Sequence, residues 1–240
     1  MRAASRARLA VIDVGGTMVA EGWLVSAAVQ SALAEAGIPA TATLLDELRG
    51  RNRKAALEAA ARAAGVDPVV AGKALGGFAT QVRHDILDGR YRPLPGVGHA
   101  LAWLRRAGVL VVATTNFAVE LRSQLLAVTG LDAYLAGAVS SGELAGTDEG
   151  SMTGMAMRRA GVTNPAEVAC IGDTAGDLAA GREARVGWNF GVLTGRDDLV
   201  RLDPQAGDVI VANVSEAVAY LLGGPLSRPR TFTEGSSMEH

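Results

Sequence analysis

The chain has 240 residues, 49% hydrophobic and only 4% aromatic, which predicts a core of Ala, Val and Leu in one large domain or in a core with a small satellite domain. Lys and Arg (23) nearly balance Asp and Glu (25), which argues against a nucleic-acid or anionic-membrane partner. A single cysteine, Cys170, excludes an intrachain disulfide, and no apolar run approaches the roughly 18 residues of a membrane span, so we expect a soluble cytoplasmic protein.

The first predicted element is a short buried strand, because the apolar run 9–12 ends at Asp13 and is followed by two glycines and Thr17. From residue 23 to about residue 88 the apolar residues recur at helical spacing, and no strand pattern is convincing. This block predicts an all-helical module of four or five helices. Residues 91–96 contain two prolines and a glycine and are typical of a linker.

After the linker, segments with helical spacing alternate with short apolar runs typical of parallel strands. The predicted strands are 109–113, 135–139, 167–171, 186–192 and 209–211, and the predicted helices are 97–107, 119–128, 149–159, 177–182 and 215–222. This alternation predicts an α/β fold with a doubly wound, parallel, Rossmann-like sheet. We expect a core domain of residues 1–20 and 92–223, a helical domain of residues 21–91 inserted after strand one, and a flexible tail, 224–240.

Ligands of open α/β sheets bind beyond the carboxyl ends of the strands, so polar residues there are the candidates for chemistry. Asp13 follows the first strand, Thr115 and Asn116 follow the second, and Asp173 and Asp177 follow the fourth. Singly, each could cap a turn or a helix. Together, a hydroxyl and several carboxylates at one edge favour Mg²⁺, a carboxylate nucleophile, and an anion held by hydroxyl and N–H groups.

In order and spacing these motifs resemble those of the haloacid dehalogenase superfamily, with a C1-type helical cap inserted after strand one. The resemblance implies a Mg²⁺-dependent hydrolase in which Asp13 is the nucleophile and a metal ligand. It also implies that the backbone carbonyl of Gly15 is a second ligand and that Asp173 and Asp177 hold the metal directly or through water. Thr115 would bind the transferred phosphoryl group.

Four stretches resemble the phosphonatase-like branch of that superfamily, namely Leu94-Pro-Gly-Val, Ala113-Thr-Thr-Asn-Phe, Gly172-Asp-Thr-Ala-Gly-Asp-Leu and Gly191-Val-Leu-Thr-Gly. This resemblance implies a small phosphorylated, phosphonate or similar anionic metabolite as substrate. Gly16, Thr17 and Asn116 are expected to bind it together with Thr115. The resemblance also suggests a homodimer formed through the cap.

Three positions depart from the family pattern. Gly15 stands where phosphatases carry a second Asp that protonates the leaving alcohol, which argues against an efficient phosphate monoesterase. Arg53 stands where a phosphonoacetaldehyde hydrolase has its imine-forming lysine, and a guanidinium cannot form an imine. Two interpretations stay open: Arg51 and Arg53 bind an anionic substrate across the cleft, or Arg53 and Lys54 form a solvated basic turn.

The third departure is Thr147, which stands where the family has a Lys or Arg that neutralises the nucleophile and the phosphoryl group. A cation from Arg158, Arg196 or the cap could substitute for it. The sequence leaves three hypotheses open. In the first, the protein is an active hydrolase. In the second, it is a degenerate relative that binds a ligand or partner with little hydrolysis. In the third, it is an enzyme whose cap supplies altered chemistry.

Overall fold

The computed structural model describes residues 7–41, 44–45, 53–144, 151–224 and 230–231. Its strands are β1 (Leu9–Asp13), β2 (Val19–Ala20), β3 (Arg92–Pro93), β4 (Leu110–Thr115), β5 (Gly137–Ser140), β6 (Val168–Gly172), β7 (Trp188–Val192), β8 (Asp208–Val211) and β9 (Arg230–Thr231). Seven of them form one sheet in the order β5-β4-β1-β6-β7-β8-β9. All neighbours in it are parallel except β9, which pairs antiparallel with β8. The predicted doubly wound parallel sheet is confirmed.

Both faces of this sheet are covered by apolar side chains. Successive residues of a strand point to opposite faces, and accordingly Ala10 and Ile12 of β1 belong to one buried cluster while Leu9 and Val11 belong to another. The helices of this part of the chain are α4 (Val97–Arg106), α5 (Val119–Thr129), α6 (Met152–Arg159), α7 (Ala175–Glu183), α8 (Leu199–Leu202) and α9 (Val214–Leu221). Burial on both faces explains why the strands are continuous apolar runs.

The described residues between β2 and β3 are mainly helical, as the sequence predicts. They contain α1 (Leu24–Glu35), α2 (Arg53–Ala63) and α3 (Pro68–Leu87), and residues 44–45 are also helical. α3 packs against α1 and α2 and also against α5 of the sheet domain. The predicted domain boundaries stay a prediction. In the described parts of the chain, no helix is both long enough and apolar enough to cross a membrane.

The structure differs from the sequence prediction in three two-residue strands. β2 pairs antiparallel with β3, which lies inside the predicted linker 91–96. β9 lies inside the predicted tail 224–240 and extends the sheet at β8. Two residues are too few to create an alternating pattern in the sequence, so these strands could not be predicted. The pairing of β2 with β3 brings together the chain entering the helical segment and the chain leaving it.

An ion-pair network at the end of β5 is expected to make stability depend on pH. Partial burial would raise the pKa of Glu143, but hydrogen bonds from Arg159, the Ser140 backbone N–H and Arg122 outweigh it and lower the pKa from 4.5 to about 2. The Arg159 Nη2 to Glu143 Oε1 distance is 2.7 Å. A lowered folded-state pKa stabilises the fold above the unfolded value, and this stabilisation is lost as pH falls from about 4.5 towards 2.

Glu143→Gln is therefore expected to lower the free energy of unfolding by about 1–2 kcal/mol at pH 7, a value reduced for the solvent screening of a partly exposed pair. The deficit relative to the wild type should shrink as the pH falls below 4.5, where the wild-type carboxylate begins to lose its advantage. Urea denaturation at several pH values measures this. Glu183→Gln, at an exposed position, is the control. A deficit that stays constant with pH would contradict the assignment.

Candidate active site

Three strands bring the predicted residues to one edge of the sheet. β1 lies between β4 and β6, with Asp13 opposite Thr114 and Ile12 opposite Ile171. Asp13 and Thr115 end their strands, and Asp173 follows β6 by one residue. Because the strands are parallel and in this register, the three side chains follow neighbouring strand ends. The sequence prediction of a shared edge agrees with this placement.

The loop after β1 folds back on itself and turns towards Asp173. Val19 accepts a hydrogen bond from the Gly16 N–H at 2.8 Å, and its own N–H donates to the Val14 carbonyl at 2.8 Å. Thr17, which the sequence predicts as a substrate ligand, is fully buried, and its hydroxyl donates to Asp173 Oδ1 at 3.0 Å. Thr17 therefore positions a carboxylate in this structure.

Asp173 is held from both sides. Its Oδ1 accepts from Thr17, and its Oδ2 accepts from the Arg196 backbone N–H at 2.9 Å. Two glycines leave the space that it needs: a Cβ atom on Gly16 would lie 2.5 Å from Asp173 Oδ2, and a Cβ atom on Gly195 would lie 1.9 Å from it. Asp173 is only 3% exposed, so its position is fixed by these neighbours.

Asp177 caps a helix. Its Oδ2 accepts from the Thr174 backbone N–H at 3.0 Å and from the Thr174 hydroxyl at 2.6 Å, while the Thr174 hydroxyl also accepts from the Asp177 N–H. This capping box at the start of α7 is the alternative that the sequence left open for one of the two acids. The charge of Asp177 nevertheless lies close enough to Asp13 to raise its pKa.

The acids at this edge repel one another. Burial raises the pKa of Asp13 well above 3.8, and the charges of Asp177, Asp173 and Glu21 raise it further. Burial also raises the pKa of Asp173. Burial and the charge of Asp173 raise the pKa of Asp177 to about 6. A cation placed among these carboxylates would relieve both the burial penalty and the repulsion.

Arg196 is a cation that acts on this group of acids. Its charge lowers the pKa of Asp173 and of Asp177, opposing the effect of burial. It lies in the loop after β7, which contacts the site at two further points: the Thr194 hydroxyl donates to the Gly16 carbonyl at 2.8 Å, and Asp197 Oδ2 accepts from the Ala175 N–H at 3.2 Å. The sequence named Arg196 as one possible substitute for the missing cation but assigned this loop no role.

The remaining predicted residues are placed in part. Thr115 is buried, and its hydroxyl oxygen accepts from the Phe117 N–H at 3.2 Å. Asn116 follows it and is half-buried. Arg53 begins α2, but its side chain is not described. Arg51 and Thr147 lie outside the described residues, so the predictions for them stay predictions.

The donor set at this edge suits a hard divalent cation, although it does not form a complete cage of side chains. In the described parts of the chain, no three His, Cys, Asp or Glu side chains are grouped to hold a metal ion by themselves. Mg²⁺ does not need such a cage, because it is typically bound through one or two carboxylates and keeps several waters. Asp13 and Asp173 are carboxylates of the kind that Mg²⁺ prefers, and the mutual repulsion of the acids favours a cation. The Gly15 carbonyl and Asp177 stay predicted ligands.

Removing the Arg196 charge is expected to weaken the binding of an anionic substrate. We expect Arg196→Gln to raise KM about 10–100-fold, the range for a lost hydrogen bond to a charged group, with a smaller change in kcat. Steady-state kinetics with a phosphorylated substrate measures this. Arg201→Gln, an exposed substitution on α8, is the matched control and should leave KM unchanged. Equal effects of the two substitutions would contradict a role for Arg196.

Over residues 7–185 the sequence matches the family described as haloacid dehalogenase-like hydrolases. No curated protein matches the chain. Similar solved structures include a hydrolase from Pseudomonas syringae, 19% identical with a TM-score of 0.76, covering 90% of this chain and 98% of that one. A predicted phosphatase from Clostridium acetobutylicum is 19% identical with a TM-score of 0.74, covering 91% and 100%. CbbY from Rhodobacter sphaeroides in complex with phosphate is 16% identical with a TM-score of 0.71, covering 91% and 97%. At these identities the likeness shows the fold.

Proposed function

The chain belongs to the haloacid dehalogenase-like hydrolases, and we propose that it is a Mg²⁺-dependent hydrolase in which Asp13 attacks a small phosphorylated, phosphonate or similar anionic metabolite. The observation that carries this proposal is the position of Asp13. It ends the central strand β1 at the edge where Thr115 and Asp173 also lie, and burial together with the charges of three other carboxylates raises its pKa. A carboxylate at such a position is costly to the fold and is typical of functional sites.

In this proposal the residues at the strand ends have separate roles. Asp13 and Asp173, with the Gly15 carbonyl, would hold the cation, which supplies positive charge when bound and so allows an anionic substrate to approach. The Asp13 carboxylate attacks phosphorus and forms a covalent intermediate that water then hydrolyses. The Thr115 hydroxyl and the N–H groups of the loop after β1, including that of Thr17, hold the transferred group.

The finer assignment to the phosphonatase-like branch with a C1 cap is also part of the proposal. It is supported by the four sequence stretches that resemble that branch, and the helical segment α1–α3 after β2 has the position expected of such a cap. Arg51 and Arg53 would then contact the substrate from the cap side. A small-molecule substrate, a cytoplasmic location and a homodimer are proposed on the same resemblance.

The proposed function is tested by measuring phosphate release from a panel of phosphate monoesters and phosphonates. We expect turnover with Mg²⁺ and its loss after chelation, and a rapidly quenched reaction should contain protein heavier by one phosphoryl group, which peptide mass analysis places on Asp13. An absence of turnover across the panel, together with no thermal stabilisation by Mg²⁺ with phosphate or a metallofluoride, would instead favour the degenerate ligand-binding protein.

A further inference from the structure

Gly15 has no side chain, and the carboxyl group of Glu21 lies where a side chain at position 15 would begin. A Cβ atom built on Gly15 would lie 2.0 Å from Glu21 Oε1 and 2.4 Å from its Cδ. The carboxyl group of Glu21 therefore occupies the space that any side chain at position 15 would need. Its charge is also among those that raise the pKa of Asp13.

The backbone explains how a residue six positions away reaches Gly15. The loop after β1 returns so tightly that Gly15 forms an isolated bridge with Val19, the first residue of β2. β2 is fixed by its pairing with β3, and the Glu21 carbonyl accepts from the Leu24 N–H at 3.1 Å at the start of α1. Glu21 is thus held between two ordered elements and lies half-buried over the loop.

We propose that Glu21 is a catalytic residue that transfers protons in this site, and that the substrates therefore include phosphate monoesters of ordinary alcohols. This inference rests on the proposed function, because it needs Asp13 as nucleophile. It also changes the sequence expectation for Gly15: the glycine does not remove the carboxylate from this place, since the side chain of Glu21 fills it.

The two half-reactions balance with Glu21 as the proton carrier. In the first, an Asp13 carboxylate oxygen forms a bond to phosphorus, the bond from phosphorus to the leaving oxygen breaks, and the Glu21 carboxylic acid gives its proton to that oxygen. In the second, the Glu21 carboxylate takes a proton from water, the water oxygen bonds to phosphorus, and the acyl phosphate bond breaks. The products are the alcohol, inorganic phosphate and the original protein.

The test compares leaving groups in Glu21→Gln. An alkoxide needs a proton as it leaves, whereas para-nitrophenolate leaves without one. For ethyl phosphate we expect kcat/KM to fall about 10²–10⁴-fold, the usual range for general acid catalysis. For para-nitrophenyl phosphate, kcat/KM should fall less than about tenfold, because this parameter covers only the steps up to departure of the leaving group. Phosphorylated protein should accumulate, since the second step still lacks its base.

If Glu21 has only a structural role, Glu21→Gln should lower kcat/KM for both esters by a similar factor. That outcome would overturn the inference. Glu35→Gln, an exposed substitution in α1, is the matched control and should change neither. Moving the carboxylate gives a second readout: when Glu21→Ala has lost turnover of ethyl phosphate, adding Gly15→Asp, whose side chain then no longer meets that of Glu21, should restore it. No restoration would also count against the inference.

These outcomes are separable from failure of the proposed function. If Asp13→Asn retains turnover, the proposed nucleophile is wrong, and the inference about Glu21 fails with it. If Asp13→Asn is inactive while Glu21→Gln keeps wild-type kcat/KM for ethyl phosphate, the proposed function stands and only the role of Glu21 is wrong.

Discussion

Replacing Asp13 with Asn is expected to abolish turnover and, in the absence of a divalent cation, to make the protein more stable. The amide cannot form the covalent intermediate, so we expect kcat to fall by a factor on the order of 10⁴ or more, as when other catalytic nucleophiles are removed. The substitution also removes a charge that is disfavoured by burial and by the charges of Asp177, Asp173 and Glu21. Relief of that repulsion should raise the free energy of unfolding by about 0.5–2 kcal/mol.

Mg²⁺ is expected to reverse this order of stabilities. The cation stabilises whichever protein it binds, and the side-chain amide of the Asp13→Asn variant would offer it a weaker, uncharged ligand. Thermal unfolding of the wild type and of Asp13→Asn, each with and without Mg²⁺, measures the reversal. Asp88→Asn, at an exposed position after α3, is the control for removing one acidic charge. A variant less stable than the wild type without the cation would show that the acids do not repel one another as described.

The placement of Asp13, Thr115 and Asp173 at one edge was accessible from the sequence. Each follows an apolar run, the runs alternate with helices, and a parallel sheet brings its carboxyl strand ends together. The sequence also left open that one of the two acids after β6 caps a helix, and Asp177 does so. Strand order and local capping chemistry are therefore enough to place these residues to within a few positions.

The residues that act on these strand-end residues could not be predicted from the sequence in the same way. Glu21 reaches Gly15 only because β2 pairs with β3, and neither two-residue strand leaves a periodic signal. Arg196 acts on Asp173 through a loop that follows β7, two strands away from β1 in the sheet. Such contacts depend on how loops close over the sheet edge, and loop geometry does not follow from the periodicity that predicts strands and helices.

The second large expected effect is the loss of stability when Gly16, next to Asp173, is replaced by Ala. It has two physical causes, backbone strain and collision with Asp173, and two other glycines allow each cause to be measured alone. Gly108 has a φ of +76° and no heavy atom within 4 Å of the position that a Cβ atom would take, so Gly108→Ala carries only the backbone strain, about 1 kcal/mol. Gly195 has no positive φ, but its Cβ atom would lie 1.9 Å from Asp173 Oδ2. Gly195→Ala therefore carries only the collision, about 1–3 kcal/mol. Gly16 combines a φ of +78° with a collision at 2.5 Å.

We therefore expect Gly16→Ala to lower the free energy of unfolding by about 2–4 kcal/mol, close to the sum of the other two effects. Both Gly16→Ala and Gly195→Ala should also lose activity, because Asp173 must move away from the strand ends, whereas Gly108→Ala should keep it. Urea denaturation and kcat/KM for one phosphorylated substrate measure the three variants together. If Gly195→Ala matched Gly108→Ala in activity, Asp173 would tolerate displacement, and it could not be a residue whose exact position the reaction requires.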